Sequence, residues 1–190
     1  MNVLDGIILA ALVAGTTIGL FQGILRQVIG LVLLYLALVL AAAYYQTVGT
    51  WIRSIIWANR QSVEALAFVL ILVVSYGVLA LVTREYRQAR LAVLKHVDQL
   101  GGVALGFVTT CVWITLFLAA VNFATEVPWT WHQPGKPILA TVRADSVRLA
   151  IHYSLQSSVL ANVFARLLPY LVFSVKPWTP ADILRILSVG

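Results

Sequence analysis
The sequence predicts an all-α, polytopic membrane protein of about four transmembrane helices, with interfacial amphipathic helices beside them. Three observations predict it. Hydrophobic residues make up 61% of the 190 positions and charged residues 11%, against about 25% charged in a soluble domain. The apolar residues fall in four blocks, each near the roughly 20-residue length that a bilayer span needs. Aromatic residues gather where blocks end, as they do at a membrane–water boundary.

The first span is read at 4–23 and the second at 28–45. Only four residues join them, so the pair is either a tight hairpin or one long broken helix. In segment 46–62, Trp51, Ile52, Ile55 and Ile56 share a helical face, which predicts a short interfacial helix. Tyr44, Tyr45, Trp51 and Trp57 are its interface anchors. The third span is read at 66–83 and the fourth at 100–121. Between them, Arg84, Arg87, Arg90 and Lys95 flank Leu91, Leu94 and Val97 in a second, more basic interfacial stretch.

The membrane bundle is thus assigned to 1–123, and a Pro/Trp loop with an amphipathic helical tail to 124–190. All six prolines lie between Pro128 and Pro180, which marks the change. Trp129 and Trp131 anchor the loop near the headgroups. Val147, Ile151, Leu155, Val159, Val163 and Leu167 recur every fourth residue, predicting one amphipathic helix too polar to span. Thr179-Pro180 reads as the start of a last short helix at 181–187.

The net charge of +6 is spread singly between apolar blocks. That points to anionic lipid headgroups and away from nucleic acid. No basic residue precedes the first apolar run, so no cleaved signal peptide is read. The lone cysteine, Cys111, excludes an intramolecular disulfide. Arg26, Arg84, Arg87, Arg90 and Lys95 fall on one side of four spans, and Arg53, Arg60, Lys136 and Arg143 on the other. The side with more basic residues in short loops is cytoplasmic, which puts both termini outside the cytoplasm.

Enzymatic motifs are missing. There is no Gly-x-Ser-x-Gly, and Gly101-Gly102 is not followed by the Lys-Ser/Thr of a phosphate loop. His152 and Ser154 are two apart on one helix and do not face each other, so with Asp145 they read as ordinary polar residues. His96, His132 and His152 lack metal-ligand spacing. No catalysis, metal or cofactor is expected.

What stands out is small residues. Gly15, Gly19 and Gly23 lie at i, i+4 and i+8, and Gly102 and Gly106 repeat the spacing at the start of the fourth span. Such faces let helix backbones approach closely in lipid, where the hydrophobic effect does not drive association. The face packs on another span, on a second copy of the chain, or, in the alternative of a small channel or transporter subunit, lines water. Asp5 and Asp98 stand where helices begin and read as helix caps. Arg26 and Asp98 fall on one side of the membrane and are expected to form an ion pair. Thr16, Thr17, Gln22, Gln27, Ser75, Thr109, Thr110, Thr115 and Asn122 read as interhelical hydrogen-bonding groups.

Asp5-Gly-Ile-Ile-Leu, followed by Gly19-Leu-Phe-Gln-Gly23-Ile-Leu-Arg26-Gln-Val-Ile-Gly-Leu, resembles the N-terminal signature of the colicin V production protein family (CvpA). Ala43-Tyr44-Tyr45 with Trp51-Ile52, and Val97-Asp98-Gln-Leu-Gly101-Gly-Val-Ala-Leu-Gly106, are similar to its second and fourth spans. The resemblance covers roughly 1–125. The sequence departs from it at Gln22, Gln27, Gln99 and Thr109-Thr110, where charged residues are usual. The resemblance implies a bacterial inner-membrane protein of about four helices, linked to colicin V production or export and to envelope stress tolerance. It would act as a structural or assembly component, with the lipid bilayer, a second copy or another membrane protein as partner.

Overall fold
The computed structural model describes residues 2–55, 59–83, 95–129 and 139–175. They form seven helices and no strand: α1 (Val3–Gln22), α2 (Ile24–Ile55), α3 (Arg60–Val82), α4 (Lys95–Thr125), α5 (Leu139–Ser157), α6 (Val159–Ala165) and α7 (Leu168–Val175). Trp57, Trp131, His132, the stretch 84–94 and the short helix expected at 181–187 lie outside the described residues.

α1 starts at a capping box. The Asn2 side chain accepts from Val3 N–H, and the Asp5 carboxylate accepts from Asn2 N–H at 2.8 Å. It ends at Gly23, whose φ of +76° is left-handed and suits glycine. By length and composition, three stretches can cross a membrane: Val3–Ser54, Arg60–Val82 and Val97–Thr125. The first has 52 residues, about 78 Å if straight, far more than a roughly 30 Å hydrocarbon core.

It is not straight. Gly15 meets Thr110, Gly19 meets Gly102 and Gly106, and Gly23 meets Asp98, so α1 runs antiparallel to α4. Tyr76 stacks edge-on against Trp113 at 5.2 Å, and Ser62 lies against the Ala124 carbonyl, so α3 also runs antiparallel to α4. Gly49 meets Glu64 and Tyr45 meets Phe68, so α2 is antiparallel to α3. α2 therefore runs with α4 and against α1. The chain reverses at Gly23, and four crossing helices result, as the sequence predicts. Of the two arrangements open for the first two spans, the structure has the hairpin.

α2 departs from expectation in another way. It runs 32 residues without a break, so 46–55 is the end of the second span and not a separate interfacial helix. Nothing there stops a helix, and Gly49 lets α3 approach at Glu64 and Ala67. Glu64, 8% exposed, is held by Arg60 at 2.6 Å.

The main core joins Leu34, Leu38 and Tyr45 of α2, Phe68 and Leu72 of α3, and Leu116, Ala120 and Phe123 of α4. Tyr45 is thus a core residue, 2% exposed, and not an interface anchor. A second cluster joins Ile8, Ala161 and Phe164, with Leu12, Ile114 and Leu118 alongside. Large apolar side chains also cover the outside, among them Val3, Phe21, Leu81 and Val82, which suits a surface in lipid. α4 touches all six other helices.

The tail corrects a second expectation. The stripe from Val147 to Leu167 is not one helix. It breaks at Ser158, where the segments Asp145–Ser157 and Val159–Ser174 meet at 78°. Pro169 is tolerated because it falls in the first turn of α7.

Candidate functional site
Two features of α4 carry chemistry: its glycine face and a cavity near its end. The glycine face closes on α1. A methyl group at Gly19 would overlap the Gly102 carbonyl and lie 2.9 Å from Gly106 Cα. One at Gly106 would lie 2.8 Å from Gly19 Cα and 3.0 Å from the Gly15 carbonyl. Thr110 fills the notch at Gly15, its hydroxyl turned onto Gly106 O at 2.7 Å. Of the contacts open to this face, the structure therefore uses the one within the chain.

Two carboxylates, one half-buried and one buried, lock the ends of this seam. At one end, Asp98 accepts the first N–H of α2, from Ile24, at 2.8 Å. It caps α2 across the seam. The ion pair expected between Arg26 and Asp98 is not formed: the ion pairs among the described residues are Arg60–Glu64 and Arg148–Asp145. The carboxylate is taken up by the exposed N-terminus of α2, where the helix dipole is positive.

At the other end, Asp5 is 1% exposed. Besides Asn2 N–H it accepts the Ser158 hydroxyl at 2.6 Å and Leu160 N–H at 3.0 Å. Ser158 in turn caps α6 by accepting from Ala161 N–H at 3.0 Å. Asn2 donates to the Ser154 carbonyl at 3.2 Å and to the Ser157 hydroxyl at 2.9 Å. Asp5 thus serves the first turns of both α1 and α6. The Asn2–Asp5 spacing shows the α1 box in the sequence; the partnership with Ser158 has no local signal.

The cavity, about 350 Å³, lies between α4 and the α5–α6 bend. Leu118, Ala119, Leu155, Ala161, Ala165 and Leu168 give it apolar walls, and Thr115, Asn122, Glu126, His152, Gln156 and Asn162 polar ones. Burial pushes the Glu126 carboxyl above its ordinary range, opposed in part by the charge of His152. The Gln156 amide lies 2.9 Å from His152 Nε2, and His152 Nδ1 is buried without a partner among the described residues. Arg148, 8% exposed, joins Asp145 and donates to the Thr125 carbonyl at 2.8 Å. Glu126, Ser158 and Arg148 were not among the residues the sequence singles out; Glu126 sits in a proline-rich loop signal that points only to a turn.

Other expected residues are placed as follows. Tyr44 and Trp51 are 56% and 66% exposed on α2. Trp129 donates its indole N–H to Ala124 O at 2.7 Å, closing the end of α4. Thr16, Thr17, Thr109, Thr110 and Thr115 donate to carbonyls four residues back in their own helices, and not between helices as expected. Gln27 and Gln22 meet at 3.3 Å across the α1–α2 reversal. No cluster of three metal-ligating side chains occurs among the described residues.

A family model described as "Colicin V production protein" matches residues 4–169. The match extends past the four spans and takes in the α5–α6 bend and its Asp5 partners. No curated protein and no solved structure matched the chain.

Proposed function
We propose that this chain, which belongs to the colicin V production protein family, is a structural or assembly component of the bacterial inner membrane, with both termini outside the cytoplasm. Its role would lie in toxin production or export and in envelope homeostasis, without catalysis. The closed seam carries this reading. Gly15, Gly19, Gly102 and Gly106 are spent on contact between α1 and α4, so the feature most open to lining a water path serves to fasten helices. A protein built this way offers its remaining apolar surface to lipid and to other membrane proteins.

Copurification in mild detergent with native mass measurement tests it: a larger species or a captured membrane protein supports assembly, and a strict monomer with no partner overturns it. A second reading, a small transport subunit, is favoured by the cavity with Glu126 and His152. It requires uptake or efflux that Glu126→Gln abolishes at unchanged expression.

A further inference from the structure
We infer that residues 159–174 form a re-entrant half-span, whose outward face meets lipid acyl chains and whose end stops near the middle of the membrane. The inference rests on the chain being a membrane protein and not on the assembly reading.

Four observations place it. The start of α6 is pinned to the first turn of α1, through Ser158 and Leu160 on Asp5. From there the segment goes inward: Ala161 and Phe164 pack with Ile8, and Leu168 joins the core of α2, α3 and α4. It ends at Tyr35, whose hydroxyl donates to the Ser174 carbonyl at 3.0 Å. Tyr35 lies about 18 Å along α2 from Gly23, while α1 spans about 27 Å from Gly23 to Asp5; the end of α7 is therefore inside that thickness. The segment then presents Tyr170 and Phe173, 76% and 79% exposed, on its outward side.

The helix end has the chemistry that such a depth requires. The last carbonyls of a helix lack internal partners, and in lipid each must find one. Ser174 Oγ donates to Leu171 O at 2.7 Å, and Tyr35 covers Ser174 O. A crossing would need further apolar chain, yet Lys176, Asp182 and Arg185 follow the segment. A re-entrant course, and not a crossing, suits such a charged continuation.

Single cysteines at Tyr153, Tyr170 and Phe173, in a Cys111→Ser background in lipid nanodiscs, test it with a membrane-impermeant maleimide. Tyr153 is 65% exposed, less than the other two, so exposure alone predicts faster labelling at 170 and 173. The half-span predicts the reverse: both react at least about ten-fold more slowly than position 153, and all three react alike in denaturant. Tyr35→Phe should raise labelling at 173 by loosening the helix end. Equal rates at the three positions in nanodiscs would place the tail in water and overturn the proposal. In whole cells, a tag after Gly190 and a cysteine at 153 should be reached from the same side; opposite sides would make the segment a crossing, which also overturns it.

Discussion
At Gly19 the backbone of α4 occupies the space where a side chain would be. Gly19→Ala sets a methyl against the Gly102 carbonyl and Gly106 Cα, and neither backbone atom can rotate away. We expect a loss of about 1–3 kcal/mol in thermal unfolding of the detergent-solubilised protein. Gly77→Ala, with nothing within 4 Å of the added methyl, should stay within about 1 kcal/mol and tend to stabilise. The same spacing argument that finds the glycines in the sequence cannot rank these two positions, because the neighbour is what differs. Threonine misleads for a related reason: its hydroxyl reaches the carbonyl four residues back without leaving its own helix, so a polar residue in a span need not reach another. Glu126 gives a pH signature. Its carboxyl titrates higher in the fold than in the unfolded chain, where it lies near 4.5. The protonated form is thus favoured on folding, its stabilisation is complete below about 4.5 and is lost as pH rises through the folded value. Melting temperature should fall across that window in the parent protein and much less in Glu126→Gln.

Helices are where the sequence is most legible, and their ends where it is least. Four apolar blocks of near-spanning length suffice to place α1 to α4, because lipid leaves a backbone few other ways to satisfy its hydrogen bonds. The length of α2 is not legible, since aromatic residues at Trp51 suit both a helix end and a separate surface helix. The break at Ser158 is hidden as well. Leu155, Val159, Val163 and Leu167 keep their four-residue spacing straight through it, and its cause is a carboxylate 153 positions away. Asp5→Asn and Ser158→Ala should therefore each cost about 1–3 kcal/mol. Their effects should not add in the double variant, since both remove one shared bond. Gly23→Ala tests the other element boundary: a left-handed φ of 76° and the adjacent Asp98 carboxylate should cost about 1–3 kcal/mol and loosen the reversal between α1 and α2, read as faster proteolysis there.

On the scale of the whole molecule, α4 is the element every other helix meets, and the first residues of the chain are tied to some of the last. This arrangement sets a timetable for synthesis. α2 and α3 can join as soon as both are made, through Tyr45 against Phe68 and Gly49 against Glu64. α1 cannot, because the surface it fits is not yet translated. Asp5 leaves the ribosome 153 residues before Ser158, a delay on the order of 10–30 s at about 5–20 residues per second. Through that interval an aspartate sits at the head of a lipid-bound helix without two of its final partners, and a small-residue face stands open to any other helix in the membrane. A nascent chain arrested before residue 95 should accordingly crosslink through position 15 or 19 to foreign membrane proteins, and the full-length chain should not. The newborn protein is thus most sociable before it is complete, and finishing the chain is what closes it to strangers.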